Sequence, residues 1–283
     1  MTKFKKHLII VGSARSGTSW LAEIIATQYR YRLLFEPEHE FQTEKGHLIC
    51  DKYILPNTTS KNVEKYLNRV FANKIDNDWI GQCSNRTLKR HLWPFLPKKY
   101  IIKFVRANLS AHFMNNRFNI PVIFLIRNPY DVIHSQLRSK FPWLLDLSHF
   151  VDQPKLVSLI KKTFDYDISN YKTLKEHQIL CLRWCIENVI PIEVHNDHPK
   201  NVAVIRYEKL KNDIQQFYNI CQKCDLQPRK DIVSIYRKPS SKTHPKSNII
   251  TKKDINVKWT TKDKKEINFI LNTFETKLYP IIQ

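Results

Sequence analysis

The stretch HLIIVGSARSGTSWLAEIIA, residues 7–26, decides the fold. The apolar run Leu8–Val11 predicts a short buried strand, residues 12–17 a glycine turn, and the apolar spacing from Thr18 a helix. Strand, turn and helix in this order form a phosphate-binding loop, because the N–H groups of the turn and of the helix N-terminus converge on an anion. The pattern G-x-x-x-x-G-K-[ST] is matched with one departure, since Thr18 stands at the lysine position.

The remaining chain alternates between strand and helix patterns. Further strands are predicted at Leu33–Phe35, Ile101–Val105, Val122–Ile126 and Val202–Ile205. Helices are predicted at Thr18–Tyr29, Lys61–Asn73, Leu109–Asn116, Pro129–Leu137, Tyr171–Val194 and Thr261–Leu278. Hydrophobic strands that alternate with helices predict an α/β fold, a single domain over residues 1–283 with a central parallel sheet flanked by helices. Residues 56–100 are the least readable part, with one helix and a loop at Trp93–Pro97.

The charge balance points to an anionic partner. The chain has 47 Lys+Arg against 26 Asp+Glu, a net charge of +21. Phosphates, sulfates and polyanions are the natural ligands of such a surface, although excess lysine also serves solubility alone. Six cysteines show no disulfide spacing, no signal peptide precedes the first strand, and no run has the length of a membrane span. We therefore expect a cytoplasmic protein.

Arginine follows three of the predicted strands, at the edge of the sheet where ligands bind. Arg106, Arg127 and Arg206 stand where a nucleotidase needs an aspartate for Mg²⁺. Guanidinium groups bind phosphate and sulfate through paired hydrogen bonds and stay protonated. The pattern predicts a pocket for a highly anionic ligand without a metal, although any one arginine, Arg206 above all, is also explained as a surface residue.

One predicted strand is followed by an acid. In LLFEPEHEF, residues 33–41, Glu36 comes directly after the strand. A carboxylate that is ionised at neutral pH and close to a hydroxyl suits a general base. Two other interpretations stay open, a salt bridge to one of the arginines or a Mg²⁺ ligand with Asp51 as a second ligand. His39 is a weaker alternative base.

A second anion site is predicted in VIFLIRNPYDVIHSQL, residues 122–137. Arg127 ends the strand, Pro129 suits the first helical position, and Ser135 lies nearly two turns along the helix. An arginine and a hydroxyl at this spacing can share a phosphate. Two anion sites on one rim imply a ligand with two separate anionic groups.

These motifs resemble the sulfotransferases that use 3′-phosphoadenosine 5′-phosphosulfate (PAPS), most closely the Golgi-type carbohydrate 6-O-sulfotransferases and their bacterial relatives. Those enzymes carry R-S-G-[ST]-[ST] after the first strand, E-P after the second, and R-[DN]-P followed by a serine. Here these motifs are Arg15–Ser19, Glu36 with Pro37, and Arg127–Pro129 with Ser135. Further matches are IIKFVR at 101–106, LRWCIENV at 182–189, VIRYEKL at 204–210, and Trp259. The fold implied is that of P-loop-like sulfotransferases.

The resemblance assigns a role to each motif. It places the 5′-phosphosulfate of PAPS at Arg15, Ser16, Gly17, Thr18 and Ser19, the 3′-phosphate at Arg127 and Ser135, and the adenine near Trp20 and Tyr207. Residues 237–257 match a mobile segment that closes over the 3′-phosphate side of the cofactor in relatives, and a disordered surface loop is the equal alternative. With this cofactor in place, our hypothesis is that Glu36 is the catalytic base and that Arg15 stabilises the leaving phosphate. Lys103 and Arg106 are expected to meet the sulfuryl group or an acidic acceptor, and His39 to lie toward the acceptor.

The resemblance further implies metal-free, in-line transfer of a sulfuryl group to an acceptor hydroxyl, with adenosine 3′,5′-bisphosphate (PAP) as the product. We expect a glycan or another hydroxyl acceptor, and the basic charge favours an anionic glycan; tyrosine-peptide acceptors stay open. The family's Golgi members have an N-terminal membrane anchor, whereas this sequence starts directly at the first predicted strand. We therefore expect a soluble enzyme of bacterial or viral type. Two rival functions are a P-loop kinase or NTPase and a nucleic-acid-binding protein, and no recognition motif favours the latter.

Overall fold

The computed structural model describes residues 4, 6–28, 31–75, 77–83, 99–243 and 259–282. The strands of these residues form one parallel sheet, in the spatial order β2-β3-β1-β4-β5. Their bounds are β1 Leu8–Val11, β2 Tyr31–Phe35, β3 Lys99–Phe104, β4 Val122–Ile126 and β5 Val202–Arg206. The predicted α/β fold with a central parallel sheet is confirmed. The strand β1 and the loop after it lie at the centre of the sheet.

Helices cover both faces of the sheet. In chain order they are α1 Thr18–Ala26, α2 Lys61–Phe71, α3 Asp78–Gly81, α4 Ala111–Phe118, α5 Pro129–Ser139, α6 Ser148–Val151, α7 Pro154–Phe164, α8 Glu176–Val189, α9 Tyr207–Asn212, α10 Ile214–Lys223, α11 Ile232–Tyr236 and α12 Thr261–Thr273. None of the helices in the described ranges is both long and apolar enough to cross a membrane.

The core has two halves because side chains alternate across a strand. In β1, Ile9 and Val11 pack with α2, α4, α5, α8 and α12, whereas Leu8 and Ile10 pack with α1, α10 and α11. All four residues are buried. Burial on both faces explains why β1 reads as a continuous apolar run and not as an alternating one.

All six predicted helices differ in their bounds from the helices of the structure, and the two longest predictions differ for visible reasons. The helix predicted at Tyr171–Val194 is preceded by a 3₁₀ turn, Ile168–Thr173, and begins at Glu176. It widens into a π turn at Ile190–Val194, where Pro191 supplies no amide hydrogen for the regular ladder. The helix predicted to reach Leu278 ends at Thr273, and Glu275 is left-handed with φ +47°.

Other predicted segments differ in coverage. The helix of α1 is three residues shorter than predicted, and α4 is shifted by two residues toward its C-terminus. The helices α3, α6, α7 and α9 to α11 were not predicted. The predicted loop at Trp93–Pro97 and residues 244–257 of the predicted cofactor-side segment lie outside the described residues.

Candidate active site

The phosphate loop, residues 12–17, joins β1 to α1. Gly17 is the N-cap of α1 with φ +91°, and a Cβ there would lie 2.5 Å from the ring of Tyr207. A Cβ on Gly12 would clash with the carbonyl oxygen of Leu125 in β4. No side chain from the described ranges caps the N-terminus of α1. Its first amide N–H groups can therefore bind an anion.

The carbonyl groups of this loop are held by side chains from beyond β4. Gln136 Nε2 donates to the carbonyl oxygen of Ala14 at 3.0 Å, and Arg127 Nη1 donates to that of Arg15 at 3.0 Å. These two bonds occupy carbonyl oxygens that would otherwise repel an anion. The loop thus presents donors to the site and keeps its acceptors engaged.

Arg15 and Arg127 form the positively charged side of the site. Arg15 Nε donates to Ser135 Oγ at 3.0 Å, so the two anion sites predicted from the sequence are adjacent. The Arg127 guanidinium lies 5.0 Å from the ring centroid of Tyr207 and makes a long ion pair, 3.8 Å, with Asp131. Burial and the nearby charges of Arg127 and Arg138 lower the pKa of Arg15. A bound anion would relieve this repulsion.

Three aromatic rings form a cluster next to the phosphate loop: Trp20 of α1, Tyr207 of α9 and Tyr236 of α11. Trp20, half-buried, contacts Tyr207 edge to face with ring centroids 5.8 Å apart and Tyr236 at 4.9 Å. Tyr207 and Tyr236 are buried at 8% and 7% exposure, so Trp20 is the most exposed of the three rings. The sequence predicted Trp20 and Tyr207 here and missed Tyr236, which no local motif marks.

Glu36 and Lys103 form a salt bridge at the ends of β2 and β3. Lys103 is buried, with its Nζ 4.2 Å from the ring centroid of Phe35, and Glu36 is 15% exposed at its side chain. Glu36 has a left-handed φ of +43°, and its carbonyl oxygen accepts from Trp79 Nε1 at 3.2 Å. The carboxylate is thus fixed by a buried cation and still open to solvent, as a general base requires.

A second carboxyl group, Glu38, lies beside the first. Its Oε1 accepts from the backbone N–H groups of Val105 at 2.7 Å and Arg106 at 3.1 Å, which ties this loop to the end of β3. Burial and the charge of Glu36 raise the pKa of Glu38 to about 7. Glu38 was not predicted from the sequence, because a buried acid has no spacing signature of its own.

An aromatic run leads from the candidate base to solvent. Phe35 contacts Trp79 at 5.6 Å, Trp79 contacts His39 at 4.5 Å, and His39 contacts Phe41 at 6.2 Å between ring centroids. Exposure grows along the run, and Phe41 is 83% exposed. Burial lowers the pKa of His39, and this effect exceeds the opposite effect of the nearby Glu36 carboxylate. The His39 imidazole is therefore uncharged near pH 7, and it lines the site.

Arg106 does not reach the open rim. Its Nε and Nη2 bind Asp51 Oδ2 at 2.8 and 2.7 Å, and its Nη1 binds Glu40 Oε1 at 2.8 Å. Arg183, itself buried, adds contacts to Asp51 at 3.4 Å and Glu187 at 3.0 Å. Asp51, the candidate Mg²⁺ ligand, is thus neutralised by two guanidinium groups.

The order of the strands separates two sides of the site. Glu36 and Lys103 lie at the β2 and β3 ends, Arg127 at the β4 end, and the phosphate loop between them. Ser16 and Thr18 are buried in the loop and Ser19 is half-buried. The arrangement can hold an anion at the loop and a second one at Arg127, with a carboxylate on the opposite side. Arg206, the third strand-end arginine, stacks on Tyr279 at 5.0 Å.

Comparison with known proteins adds the family to this geometry. The sulfotransferase domain model matches residues 5–270, which include the phosphate loop, Glu36 and Arg127. The chain belongs to the sulfotransferase domain family. This membership confirms the predicted class of enzyme, a PAPS-dependent sulfotransferase, and its co-substrate. No curated protein is significantly similar to this sulfotransferase in sequence.

Several solved structures align with nearly the whole sulfotransferase at low identity. The sulfotransferase domain from the curacin biosynthetic pathway is 16% identical, with a TM-score of 0.48 and coverage of 96% of this chain and 98% of that one. Mouse sulfotransferase SULT7A1, complexed with PAP, is 14% identical, with a TM-score of 0.49 and coverage of 96% and 86%. The sulfotransferase domain of the Synechococcus PCC 7002 olefin synthase is 15% identical, with a TM-score of 0.49 and coverage of 96% and 95%.

Proposed function

We propose that this sulfotransferase moves the sulfuryl group of PAPS to a hydroxyl group of a carbohydrate, with Glu36 as the general base. The observation that carries the proposal is the partly exposed Glu36 carboxylate, held by buried Lys103 on the acceptor side of an uncapped phosphate loop. A base in this position is on the opposite side of the loop from Arg127. An acceptor hydroxyl can therefore approach from the side away from the 3′-phosphate.

The loop and its neighbours fit the two anionic groups of PAPS. Ser16 Oγ and Arg127 Nε are buried and have no hydrogen-bond partner among the described residues, so both are left for a ligand. The residues proposed to bind the 5′-phosphosulfate are Arg15, Ser16, Gly17, Thr18 and Ser19. Those proposed for the 3′-phosphate are Arg127 and Ser135, and those for the adenine are Trp20 and Tyr207. Residues 237–257, of which 244–257 lie outside the described residues, are proposed to cover the cofactor.

The proposed chemistry is a single in-line displacement. Glu36 takes the proton of the acceptor hydroxyl, whose oxygen forms the new bond to sulfur as the bond from sulfur to the bridging phosphate oxygen breaks. The electron pair of that bond stays on the phosphate, where Arg15 and the N-terminus of α1 stabilise it. Losing one such donor costs on the order of a hundredfold in rate. Lys103 is proposed to contact the group in transfer once Glu36 is protonated.

The aromatic run supports a carbohydrate acceptor. Sugar rings present C–H faces that pack on aromatic rings, whose faces carry partial negative charge. Trp79, His39 and Phe41 offer such rings in an open row that starts at the backbone of Glu36. His39 is proposed to line the acceptor, while Arg106 is proposed to act indirectly by holding Glu40 and the loop beside it.

We also propose that the protein is a single domain and that it is located in the cytoplasm. Residues 1–283 are proposed to form one sulfotransferase domain. All six cysteines are free thiols, which agrees with the reducing conditions of the cytoplasm.

Calorimetric titration with PAP, and separately with ATP plus Mg²⁺, tests the cofactor site. We expect micromolar binding of PAP, loss of that binding in Arg127→Ala, and much weaker binding of ATP. Glu36→Gln should keep PAP binding and lose turnover of PAPS. Mg²⁺-dependent binding of ATP without PAP binding would favour the NTPase alternative instead, and steeply salt-dependent DNA binding alone would favour a nucleic-acid-binding protein.

A further inference from the structure

A short strap, residues 237–243, leaves α11 and crosses over α1. Ser240 Oγ and Ser241 Oγ donate to Glu23 Oε1 at 3.0 and 2.6 Å, and the Ser241 backbone N–H donates to Glu23 Oε2 at 2.9 Å. One carboxylate on α1 thus accepts three hydrogen bonds from the strap. Bonds to a charged acceptor are stronger than neutral ones, so this contact fixes the path of the strap.

The strap brings Lys242 to the β2 side of the sheet. Lys242 Nζ donates to Gln82 Oε1 and lies 5.6 Å from the ring centroid of Phe35. Lys103, the partner of the candidate base, lies 4.2 Å from the same centroid. Lys242 is exposed, and no carboxylate of the described ranges forms an ion pair with it.

The position of Lys242 separates it from the cofactor. The strap follows Tyr236, which contacts Trp20, and brings Lys242 beside Phe35, the last residue of β2. Arg127 directly follows β4, which lies on the far side of β3 and β1 from β2. A cation at Phe35 is therefore available to the acceptor and not to the 3′-phosphate.

We infer that Lys242 binds a carboxylate of the acceptor, and that Glu23 is a positioning residue that holds Lys242 there through Ser240 and Ser241. The inference rests on the proposed function and narrows its substrate class to an acidic sugar polymer, such as one containing uronic acids. The ammonium of Lys242 would bind the carboxylate while the sugar ring packs on the aromatic run. The acceptor hydroxyl would then face Glu36.

The test measures binding, because turnover would mix recognition with chemistry. An unsulfated polymer of uronic acid and hexosamine is titrated into the full chain saturated with PAP, beside the same polymer with its carboxylates converted to methylamides. We expect the acidic polymer to bind about tenfold more tightly. Lys242→Met should abolish this preference, Lys242→Arg should keep it, and Glu23→Gln should reduce it. Lys211→Met, on α9 near the opposite edge of the sheet, removes the same charge and should change nothing.

The outcomes separate the two levels of the proposal. Equal binding of the two polymers by the native protein, or a preference that survives in Lys242→Met, would overturn the role of Lys242. A loss of the same size in Lys211→Met would show a general charge effect and would also overturn it. Unchanged PAP affinity in all variants is expected. Failure of the native protein to bind PAP would instead refute the proposed function.

Discussion

Glu38 should make the stability of this protein fall as the pH rises. Burial and the charge of Glu36 raise its pKa from 4.5 to about 7. Above pH 4.5 the unfolded chain releases this proton, while the folded chain keeps it until about pH 7, so deprotonation favours unfolding across this window. Each unit of pKa shift corresponds to 1.36 kcal/mol. The loss between the two pKa values is therefore about 3 kcal/mol.

The variant Glu38→Gln removes this titration. Its side-chain oxygen can still accept from the N–H groups of Val105 and Arg106. The stability of the variant relative to the native protein should rise by about 3 kcal/mol from pH 4.5 to 8. Urea unfolding followed by tryptophan fluorescence at several pH values measures this difference. Glu187, whose pKa burial also raises to about 7, titrates in both proteins and cancels.

Two comparisons make the result decisive. Glu44→Gln removes an exposed carboxylate, and its stability should follow the native curve. Glu36→Gln removes the charge that helps to raise the pKa of Glu38, so the pH-dependent fall should be smaller than in the native protein. Parallel curves of stability against pH for Glu38→Gln and the native protein would refute the reasoning.

Two further substitutions probe the loop and the buried ion network. Gly17→Ala combines a left-handed conformation, about 1–2 kcal/mol, with a clash against Tyr207, about 1–3 kcal/mol; thermal unfolding should show a lower Tm, and calorimetry weaker PAP binding, whereas unchanged values for both would contradict the geometry. Arg183→Met leaves Glu187 without its buried cation and Asp51 with Arg106 alone, and should cost about 3–5 kcal/mol in urea unfolding; a loss below 1 kcal/mol would contradict the importance of this network.

The sheet and the phosphate loop were predictable from the sequence because their signals are local. Leu8–Val11 is buried on both faces and therefore reads as an unbroken apolar run, and the glycines that follow are demanded by backbone conformation and close approach. Glu36 was predicted for a similar reason, since it follows a strand directly. These features depend on neighbours in the chain.

The contacts that decide the role of each charge were not predictable. Arg106 pairs with Asp51 across 55 positions of the chain, and no spacing announces that pairing. Arg106 and Arg127 both directly follow a predicted strand. Yet Arg127 donates to the carbonyl oxygen of Arg15 in the phosphate loop, whereas Arg106 pairs with Glu40. Glu23 contacts Ser240 and Ser241 across 217 and 218 positions of the chain, and it is through these two serines that it is linked to Lys242. Charge alone could not rank these residues.

Because of the contacts around the phosphate loop, its backbone loses conformational entropy on folding and not on ligand binding. Gly12 is packed on the carbonyl of Leu125, Gly17 is packed on Tyr207, and Gln136 and Arg127 hold two of the carbonyl groups. The loop is thus ordered during folding, before any ligand arrives. A preorganised site does not spend binding energy on ordering its own backbone. Affinity for a phosphate ligand should consequently be determined by charge and hydrogen bonds. The backbone of the loop should have the same conformation with and without a bound cofactor.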